Sequence, residues 1–460
     1  MKINTKYIYM ISMVSAMGGL LFGYDWVVIG GAKPFYEQFF HISNNPSMQG
    51  WAMSSALLGC LVGAAISGIL SDKYGRKLLL IISAFLFTLS AIGTGANSNF
   101  TIFIIYRIIG GVGIGLASNL SPMYIAEIAP ANMRGRLVSL NQLTIVIGIL
   151  AAQLVNWQLA EAVPEGFSSE EILNSWNGQT GWRYMFWAET IPALFFFILM
   201  FLVPESPRWL AKNSTKEQVE GILTKIGGKE YATNEYENII KSYNADSDKV
   251  AVSMLNERKI RPILVLGVVL AVFQQWCGIN IIFNYAEEIF KAAGFGVSDI
   301  LFNIVITGAI NLIFTFVAIY TVDKLGRRKL MLMGSLGLSI IYVLVGGAYF
   351  LNISGTILLV LVLLAIAIYA MSLAPIVWVI ISEIFPNKIR GVAMAITTLA
   401  LWSACFVLTY TFPLLNSTLG AAGTFWLYGA ICFFGWLFVY RKLPETKGKS
   451  LEEIENEIIK

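Results

Sequence analysis

Charged residues are scarce in this sequence. Asp, Glu, Lys and Arg make up 13% of its 460 residues, whereas hydrophobic residues make up 57%. A soluble domain usually has about 25% charged residues, so this chain has too few to cover a water-facing surface. The composition excludes a soluble globular protein and indicates a chain that crosses the lipid bilayer many times.

Residues that build metal and redox sites are also scarce. The only histidine is His41, in a polar segment, and the four cysteines each lie in an apolar run without metal-ligand spacing: Cys60, Cys277, Cys405 and Cys432. We therefore expect no disulfide, metal or cofactor. No nucleophile with a neighbouring base is visible, so we do not expect an enzyme. The net charge is only +4, and we expect no nucleic-acid partner.

Long apolar runs are abundant, in an arrangement of six, a gap and six. A spanning helix needs about 20 apolar residues, and runs of about this length lie at 8–32, 50–70, 78–96, 101–127, 137–160, 184–203, 262–290, 299–322, 329–351, 356–384, 390–413 and 421–441. We predict an all-α integral membrane protein with twelve transmembrane helices. Its parts are an N-terminal six-helix bundle (1–203), an intracellular helical linker (204–260), a C-terminal six-helix bundle (261–443) and a cytoplasmic tail (444–460).

Loop charge predicts the orientation. Most Lys and Arg residues of the short loops fall on one side, while the loops of the other side hold little beyond Lys33, Arg183 and Lys291. By the positive-inside rule the first side is cytoplasmic, together with both termini and the linker. We expect a multi-pass protein of a bacterial inner membrane that functions as a monomer.

Three motifs occur once in each half. Asp-Lys-Tyr-Gly-Arg-Lys at 72–77 recurs as Asp-Lys-Leu-Gly-Arg-Arg at 323–328, Glu-Ile-Ala-Pro at 127–130 as Glu-Ile-Phe-Pro at 383–386, and Pro-Glu at 204–205 again at 444–445. Such a parallel repeat places a substrate site between halves that rock about it. We expect the charged residues, such as Asp72 with Arg76 and Glu127 with Arg134, to pair across neighbouring helices in one conformation and release in another, with simple topology anchoring as the alternative. These gating residues are Asp72, Arg76, Glu127, Arg134, Glu205, Asp323, Arg327, Glu383, Arg390 and Glu445.

Three charged residues fall inside predicted spans of the N-terminal half: Asp25, Arg107 and Glu189. A charge at the centre of a spanning helix costs about 2.5–3.5 kcal/mol on insertion scales, so it usually has a partner and a function. The direction of each helix puts all three residues at a similar depth. Two carboxylates that share one guanidinium leave a surplus acid, which predicts a proton site. A structural ion network is the alternative.

Amide side chains lie on the helices expected to line the central cavity, which predicts a sugar site. Sugar hydroxyls need groups that donate and accept hydrogen bonds, and the C–H face of a sugar needs an aromatic ring. The candidates are Gln142, Gln274, Gln275, Asn280, Asn311 and Trp378. In a regular helix Gln275 and Asn280 would point about 140° apart, so we expect a break at Gly278. For any single amide, hydrogen bonding between helices is the alternative.

Gly110, Gly111, Gly113 and Gly115 form a glycine-rich run inside an apolar span. No strand precedes the run, so we expect close helix packing and not a nucleotide-binding loop.

Together these motifs resemble the sugar porter family of the major facilitator superfamily. Tyr106-Arg107, the two charged repeats, the Gln274-Gln275 to Asn280 segment, and the Pro-Glu-Ser-Pro-Arg and Pro-Glu-Thr-Lys-Gly motifs at 204–208 and 444–448 extend over nearly the whole chain. The resemblance is strongest to its bacterial proton-coupled members, xylose importers among them. It implies that Asp25 is the protonation site with Arg107 and Glu189 as coupling partners. It also adds Phe22, Tyr285 and Trp402 to the sugar-contacting residues.

The chain departs from those members within the predicted pocket. Leu401 and Ile149 each stand where they have a glutamine, Ala374 replaces a glycine, and Asn284 replaces a tyrosine. Because each change alters the polarity or volume of the pocket, the resemblance leaves the sugar open between a pentose such as xylose and a hexose.

We therefore predict a secondary transporter that imports a monosaccharide with a proton by alternating access. One alternative is an uncoupled facilitator, but such relatives generally have a neutral residue at the position of Asp25. The other is a sugar receptor on a transporter fold, which usually carries a long signalling tail. Only about twenty residues follow the last apolar run here.

Overall fold

The computed structural model describes residues 3–130, 133–164, 166–245, 260–353, 355–385 and 389–447, and in these ranges the chain forms helices and no β-strand. The helices of the N-terminal half are α1 (Thr5–Phe39), α2 (Pro46–Tyr74), α3 (Arg76–Ala96), α4 (Phe100–Ile128), α5 (Arg134–Leu159), α6 (Ser169–Asn174), α7 (Trp182–Ala188) and α8 (Thr190–Leu202), with a π-helical turn over Asn177–Gly181. The linker contains α9 (Pro207–Asn213) and α10 (Lys216–Ala245). The helices of the C-terminal half are α11 (Arg261–Trp276), α12 (Ile279–Asn284), α13 (Ala286–Ala292), α14 (Val297–Leu325), α15 (Arg327–Phe350), α16 (Thr356–Ala370), α17 (Leu373–Ile384) and α18 (Arg390–Lys442).

The predicted spans are present as apolar helices. Eleven helical stretches of the described chain are long and apolar enough to cross a membrane, and the last of them covers Val392–Lys442. At 1.5 Å per residue these 51 residues extend about 76 Å, which is enough to cross a hydrocarbon core of about 30 Å twice. The stretch is broken at Gly420, whose φ is 68°. The described residues therefore contain helices for twelve crossings, six in each half.

Asparagine side chains begin several of these helices. Asn4, Asn45 and Asn99 each accept a hydrogen bond from a backbone N–H of the first turn of α1, α2 and α4. Such caps satisfy donors that have no partner within the helix. Ser168 and Glu171 form a complete capping box at the start of α6.

The linker helix lies against the N-terminal half. Val219, Leu223 and Ile226 of α10 are buried in one cluster with Ile8 of α1 and Ile125 of α4. The helix begins at Lys216, just after Ser214, whose hydroxyl hydrogen-bonds the Gln218 side chain. The part of the predicted linker at 246–259 lies outside the described residues.

The glycine-rich run of α4 packs against α2, as predicted. A Cβ at Gly111 would clash with the Ala56 carbonyl oxygen, and a Cβ at Gly115 would clash with that of Cys60. The small residues let the two backbones approach closely.

The two copies of the charged motif have the same backbone geometry. Gly75 between α2 and α3 has φ 88°, and Gly326 between α14 and α15 has φ 89°. Only glycine adopts this conformation readily. We call the end of the molecule that carries these two turns, next to Arg76 and Arg327, the arginine end.

Lys33 is the main difference from the predicted topology. The sequence placed it in an outer loop, but α1 continues to Phe39 and the Lys33 side chain is only 1% exposed. A helix can continue past the apolar run because its backbone hydrogen bonds do not depend on side-chain polarity, and the charge of Lys33 is neutralised by acidic residues nearby. We call this opposite end of the molecule the Lys33 end.

Candidate functional site

Asp25, Arg107 and Glu189 lie together inside the N-terminal half. The Arg107 guanidinium forms an ion pair with the Asp25 carboxylate, and its Nη2 also donates to the Asp25 carbonyl oxygen at 3.3 Å. All three side chains are buried, and Glu189 lies near enough to interact electrostatically with both partners. The three charges predicted from separate helices therefore form one cluster.

This cluster has one acid more than it has base. Asp25 Oδ2 and Glu189 Oε1 have no hydrogen-bond partner among the described residues. An ionised carboxylate is costly to bury without a partner, and one guanidinium cannot neutralise two carboxylates at once. The arrangement can therefore hold a proton that moves when the pairing of Arg107 changes.

The expected break at Gly278 is present. Gly278 has φ 84° between α11 and α12, and the Asn280 Nδ2 donates a hydrogen bond to the Gln275 Oε1 across the break. The same Nδ2 lies 3.6 Å from the Cys405 sulfur of α18. The two amides thus meet although a straight helix would hold them apart.

Gln274 faces a different neighbour. Its Nε2 donates to the carbonyl oxygens of Leu373 at 3.2 Å and Ala374 at 3.1 Å, at the start of α17. Its Oε1 is buried and has no hydrogen-bond partner among the described residues. The amide nitrogen therefore ties α11 to α17, while the amide oxygen makes no hydrogen bond among the described residues.

An aromatic group joins the two halves beside these amides. The Trp402 ring of α18 lies 5.8 Å from the Phe22 ring and 6.0 Å from the Trp26 ring of α1, measured between centroids. The buried Trp402 Nε1 has no acceptor among the described residues. Trp26 was missed in the sequence, although its position four residues after Phe22 puts both rings on one face of α1.

No described contact connects the other predicted sugar-binding residues to this aromatic group. The Tyr285 hydroxyl donates to the Thr409 carbonyl oxygen at 2.7 Å, and the Asn311 carbonyl oxygen accepts a hydrogen bond from Thr315. Trp378 is 38% exposed on α17, and Gln142 is half-buried on α5. Their role in sugar binding stays a prediction.

The repeated charges form equivalent networks at the arginine end. In the N-terminal half Arg76 pairs with Glu127 at 3.0 Å and Asp72 at 3.5 Å, and Glu205 accepts the backbone N–H groups of Arg76 and Lys77. In the C-terminal half Arg327 pairs with Glu383 at 3.2 Å, and Glu445 accepts the backbone N–H groups of Arg327 and Arg328. The expected pairing across neighbouring helices is present in both halves, and its release stays a prediction.

Three details of these networks differ from the expectation or were missed. Arg134 does not pair with Glu127; its Nε donates to the Ala126 carbonyl oxygen at 3.0 Å, because Arg76 already occupies the Glu127 carboxylate. The Ser206 hydroxyl donates a hydrogen bond to Glu127, and the Thr446 hydroxyl donates one to Glu383. Both follow the repeated Pro-Glu, which is the signal that could have found them. The side chains of Asp323 and Arg390 lie outside the described part of the structure.

Glu205 is held in an unusual environment. Burial raises the pKa of this carboxyl, and the N–H groups of Ser206, Lys77 and Arg76 act in the opposite direction. A carboxylate at the first turn of α3 also satisfies backbone donors that have no helical partner. Glu205 therefore acts as the N-terminal cap that Gly75 cannot provide.

The Lys33 end contains a charged cluster that the sequence analysis did not identify. The Lys33 Nζ lies 2.9 Å from Glu37, 3.4 Å from Glu287 and 2.5 Å from Glu288. The signal was the i,i+4 spacing of Lys33 and Glu37, together with the adjacent glutamates before Lys291.

Known proteins similar to this chain are sugar transporters. The "Sugar (and other) transporter" family model matches residues 11–458. The D-xylose-proton symporter of Escherichia coli K12 is 42% identical over 98% of this chain and 96% of its own length. The arabinose-proton symporter of Bacillus subtilis 168 is 41% identical over 99% of this chain and 96% of its own length.

The fold has the same relatives. The solved inward-open structure of the Escherichia coli xylose transporter XylE matches with a TM-score of 0.85 at 40% sequence identity, and the match covers 98% of this chain and all of that chain. The twelve-crossing architecture, the repeated charged turns and the buried acid–arginine cluster thus occur in a chain that aligns with these transporters almost end to end. The protein belongs to the sugar transporter family.

Proposed function

We propose that this transporter imports a monosaccharide together with a proton. The observation that carries the proposal is the buried Asp25–Arg107 ion pair with Glu189 beside it. The similarity of this chain to xylose-proton and arabinose-proton symporters supports the same conclusion. An uncoupled facilitator has no need for a surplus acid buried among apolar helices.

Coupling follows from charge balance in the cluster. When Asp25 is ionised, it neutralises Arg107, and Glu189 is left as the excess acid. When Asp25 takes up a proton, its attraction to Arg107 falls, and Arg107 is free to pair with Glu189. Because α1 carries Asp25 and also packs against α12, α13 and α14 of the C-terminal half, the exchange of partners acts on a helix at the interface between the halves.

The sugar is bound between the halves. Gln274, Gln275 and Asn280 supply hydrogen-bonding groups from the C-terminal half, and Phe22 and Trp402 supply aromatic faces from the two sides. Gln142, Tyr285, Asn311 and Trp378 complete the proposed set. The unpartnered Gln274 Oε1 and Trp402 Nε1 support this assignment, since buried polar atoms usually have a partner.

The arginine end is the proposed cytoplasmic side. The positive-inside rule supports this orientation, and so does the similarity to an inward-open transporter structure. The Lys33 end would then face outward and be closed in this conformation. We propose that the monomer is sufficient for transport, because each chain supplies both halves around the site.

The test is uptake of labelled sugars by proteoliposomes with and without a proton gradient. We expect a pentose or hexose to be concentrated only when the gradient is present. Asp25→Asn should abolish this accumulation and retain sugar exchange at equilibrium, because the amide keeps the shape of the side chain but cannot lose a proton.

The matched control is Asp299→Asn, at an exposed acid in the first turn of α14. It should accumulate sugar as the parent protein does. Accumulation by the Asp25→Asn variant against a concentration gradient would exclude Asp25 as the coupling site and favour a different acid. Uptake that equilibrates without a gradient in the parent protein would favour the facilitator.

A further inference from the structure

One buried charge cluster at the Lys33 end consists of Lys33 and the three glutamates that pair with it. Glu37 is one turn further along α1, whereas Glu287 and Glu288 lie on α13. Lys291 approaches Glu287 at 3.8 Å from the same helix α13 but is 70% exposed. The cluster also includes the Tyr285 ring, whose centroid lies 5.9 Å from the Lys33 Nζ.

These ion pairs connect different parts of the molecule from those at the arginine end. The pairs of Arg76 with Glu127 and of Arg327 with Glu383 each join helices of the same half. The pairs of Lys33 with Glu287 and Glu288 join α1 of the N-terminal half to α13 of the C-terminal half. The first kind can survive when the halves separate, but the second kind cannot.

We propose that Lys33 is a positioning residue for transport, which holds the Lys33 end closed by pairing with Glu287 and Glu288 and must leave both carboxylates each time that end opens. The inference rests on the alternating opening proposed above. It adds a residue that acts on the conformational step and touches neither sugar nor the proton site.

Glu37 makes this closure reversible. When the halves part, Lys33 loses the two glutamates of α13 but keeps Glu37 on its own helix. Glu287 in turn keeps Lys291. Lys33 and Glu287 therefore each keep an ion-pair partner, and Glu288, which loses Lys33, lines a cavity at this point. A charge left buried without a partner is what makes breaking a buried ion pair very costly. The cavity has a volume of about 250 Å³ and is lined by both halves, so water can hydrate Glu288 once the halves part; its other lining residues include Lys33, Glu37, Gln49, Glu287 and Asn416.

The experiment measures the distance between the halves directly. Nitroxide labels at Ala96→Cys and Leu351→Cys, on exposed residues at the Lys33 ends of α3 and α15, report the opening by pulsed electron paramagnetic resonance. The four native cysteines are buried and need not be replaced. Lys33→Met should increase the population of the long, open distance at least fivefold.

Lys291→Met is the matched control. It removes a lysine that contacts the same Glu287 but does not cross between the halves, so its distance distribution should equal that of the parent. Lys33→Glu combined with Glu288→Lys restores a charge pair between the halves and should return most of the population to the closed distance. An unchanged distribution in Lys33→Met, or an equal shift in Lys291→Met, would overturn the proposal.

A second variant guards against loss of folding in Lys33→Met. The combined Lys33→Met, Glu37→Gln, Glu287→Gln and Glu288→Gln variant leaves no buried unpaired charge in the cluster, since Lys291 is 70% exposed, and it should also open. A closed distribution in this folded protein would overturn the proposal. In uptake from the Lys33 side, opening lowers KM together with the maximal rate, whereas loss of folded protein lowers the maximal rate alone. The distance measurement needs neither sugar nor a proton gradient, so its failure is distinct from failure of the proposed symport.

Discussion

Leu401 lies next to Trp402 on α18 and is only 3% exposed. Leu401 adjoins a tryptophan of the proposed site, and an apolar side chain at this position offers no hydrogen bond to a sugar hydroxyl. A sugar that turns C–H groups toward Leu401 is favoured over one that turns a hydroxyl toward it. One residue can thus bias the choice of sugar without touching the coupling cluster.

We predict that Leu401→Gln improves xylose binding relative to the native sugar. A net hydrogen bond contributes about 0.5–1.5 kcal/mol, which corresponds to a gain in affinity of roughly two- to tenfold. Calorimetry with xylose and a melting curve on the same sample test the prediction. Leu408→Gln, at another buried leucine of the same helix, is the control and should lower Tm without a gain for xylose. The same outcome in Leu401→Gln would remove Leu401 from the site.

At the scale of single elements, the break between α11 and α12 decides how the amides of the site are presented. Gly278 has a positive φ, and a Cβ there would lie 2.8 Å from the Tyr428 ring. Both features exclude a larger residue. The break is therefore a geometric requirement for the contact between Gln275 and Asn280.

We expect Gly278→Ala to weaken sugar binding and to lower stability by about 1–3 kcal/mol, because alanine at positive φ is strained. Gly296→Ala is the control, since a Cβ at that glycine would meet no atom within 4 Å and its φ is −73°. Sugar affinity and Tm are measured for both variants. Unchanged affinity in Gly278→Ala would mean that the break does not serve the binding site.

The cap of α3 by Glu205 predicts a pH dependence of stability. The pKa of Glu205 is raised in the folded protein, mainly by burial, so the folded state holds this proton more tightly than the unfolded chain does. Its contribution to stability is then full below the ordinary glutamate pKa and is lost as the pH rises through the raised pKa. Glu205→Gln should remove this part of the decline in Tm as the pH rises above the ordinary glutamate pKa.

Glu171 provides a comparison of opposite sign. Its hydrogen bonds with Ser168 lower the pKa of this exposed carboxyl, so its contribution is present above the ordinary pKa and is lost as the pH falls. Glu171→Gln should therefore flatten the acid side of the Tm profile. If Glu205→Gln and Glu171→Gln change the profile in the same direction, the assignment of Glu205 is wrong.

At the scale of the whole molecule, closure of the Lys33 end depends on close contact between the halves. A Cβ at Gly50 of α2 would clash with the Tyr410 carbonyl oxygen of α18, and the Ser47 and Tyr410 hydroxyls are hydrogen-bonded at 3.0 Å. These contacts lie between the N-terminal and the C-terminal half. Backbone atoms cannot yield as a flexible side chain does, so the fit requires a small residue at position 50.

We predict that Gly50→Trp holds the Lys33 end open. Sugar binding should persist, while uptake should fall at least tenfold because the halves cannot complete the cycle. Gly68→Trp, on the same helix at an exposed glycine with no atom within 4 Å of a Cβ, should transport at nearly the parent rate. Equal uptake by Gly50→Trp and the parent protein would show that closure does not require this contact.

The sequence by itself determined the architecture. Twelve apolar runs, the duplicated charged motifs and three intramembrane charges follow from composition and order, because a lipid environment accepts only helices with satisfied backbones and penalises charge. The break at Gly278 was also predictable, since two amides five residues apart cannot meet on a straight helix. The sugar-contacting amides and aromatics, in contrast, were expectations of family resemblance as much as of residue chemistry.

Only the tertiary structure decided which charges meet. Lys33 was assigned to a loop because a lysine after an apolar run usually marks the membrane surface, yet it is buried between α1 and α13 where Glu287 and Glu288 neutralise it. Arg134 was paired with Glu127, which lies near it in sequence, but Arg76 takes that carboxylate from another helix. Hydrophobic periodicity is a local property of the chain and can be read along it. Pairing of charges depends on distances between residues far apart in the chain, 254 positions for Lys33 and Glu287, and these distances exist only once the helices have packed.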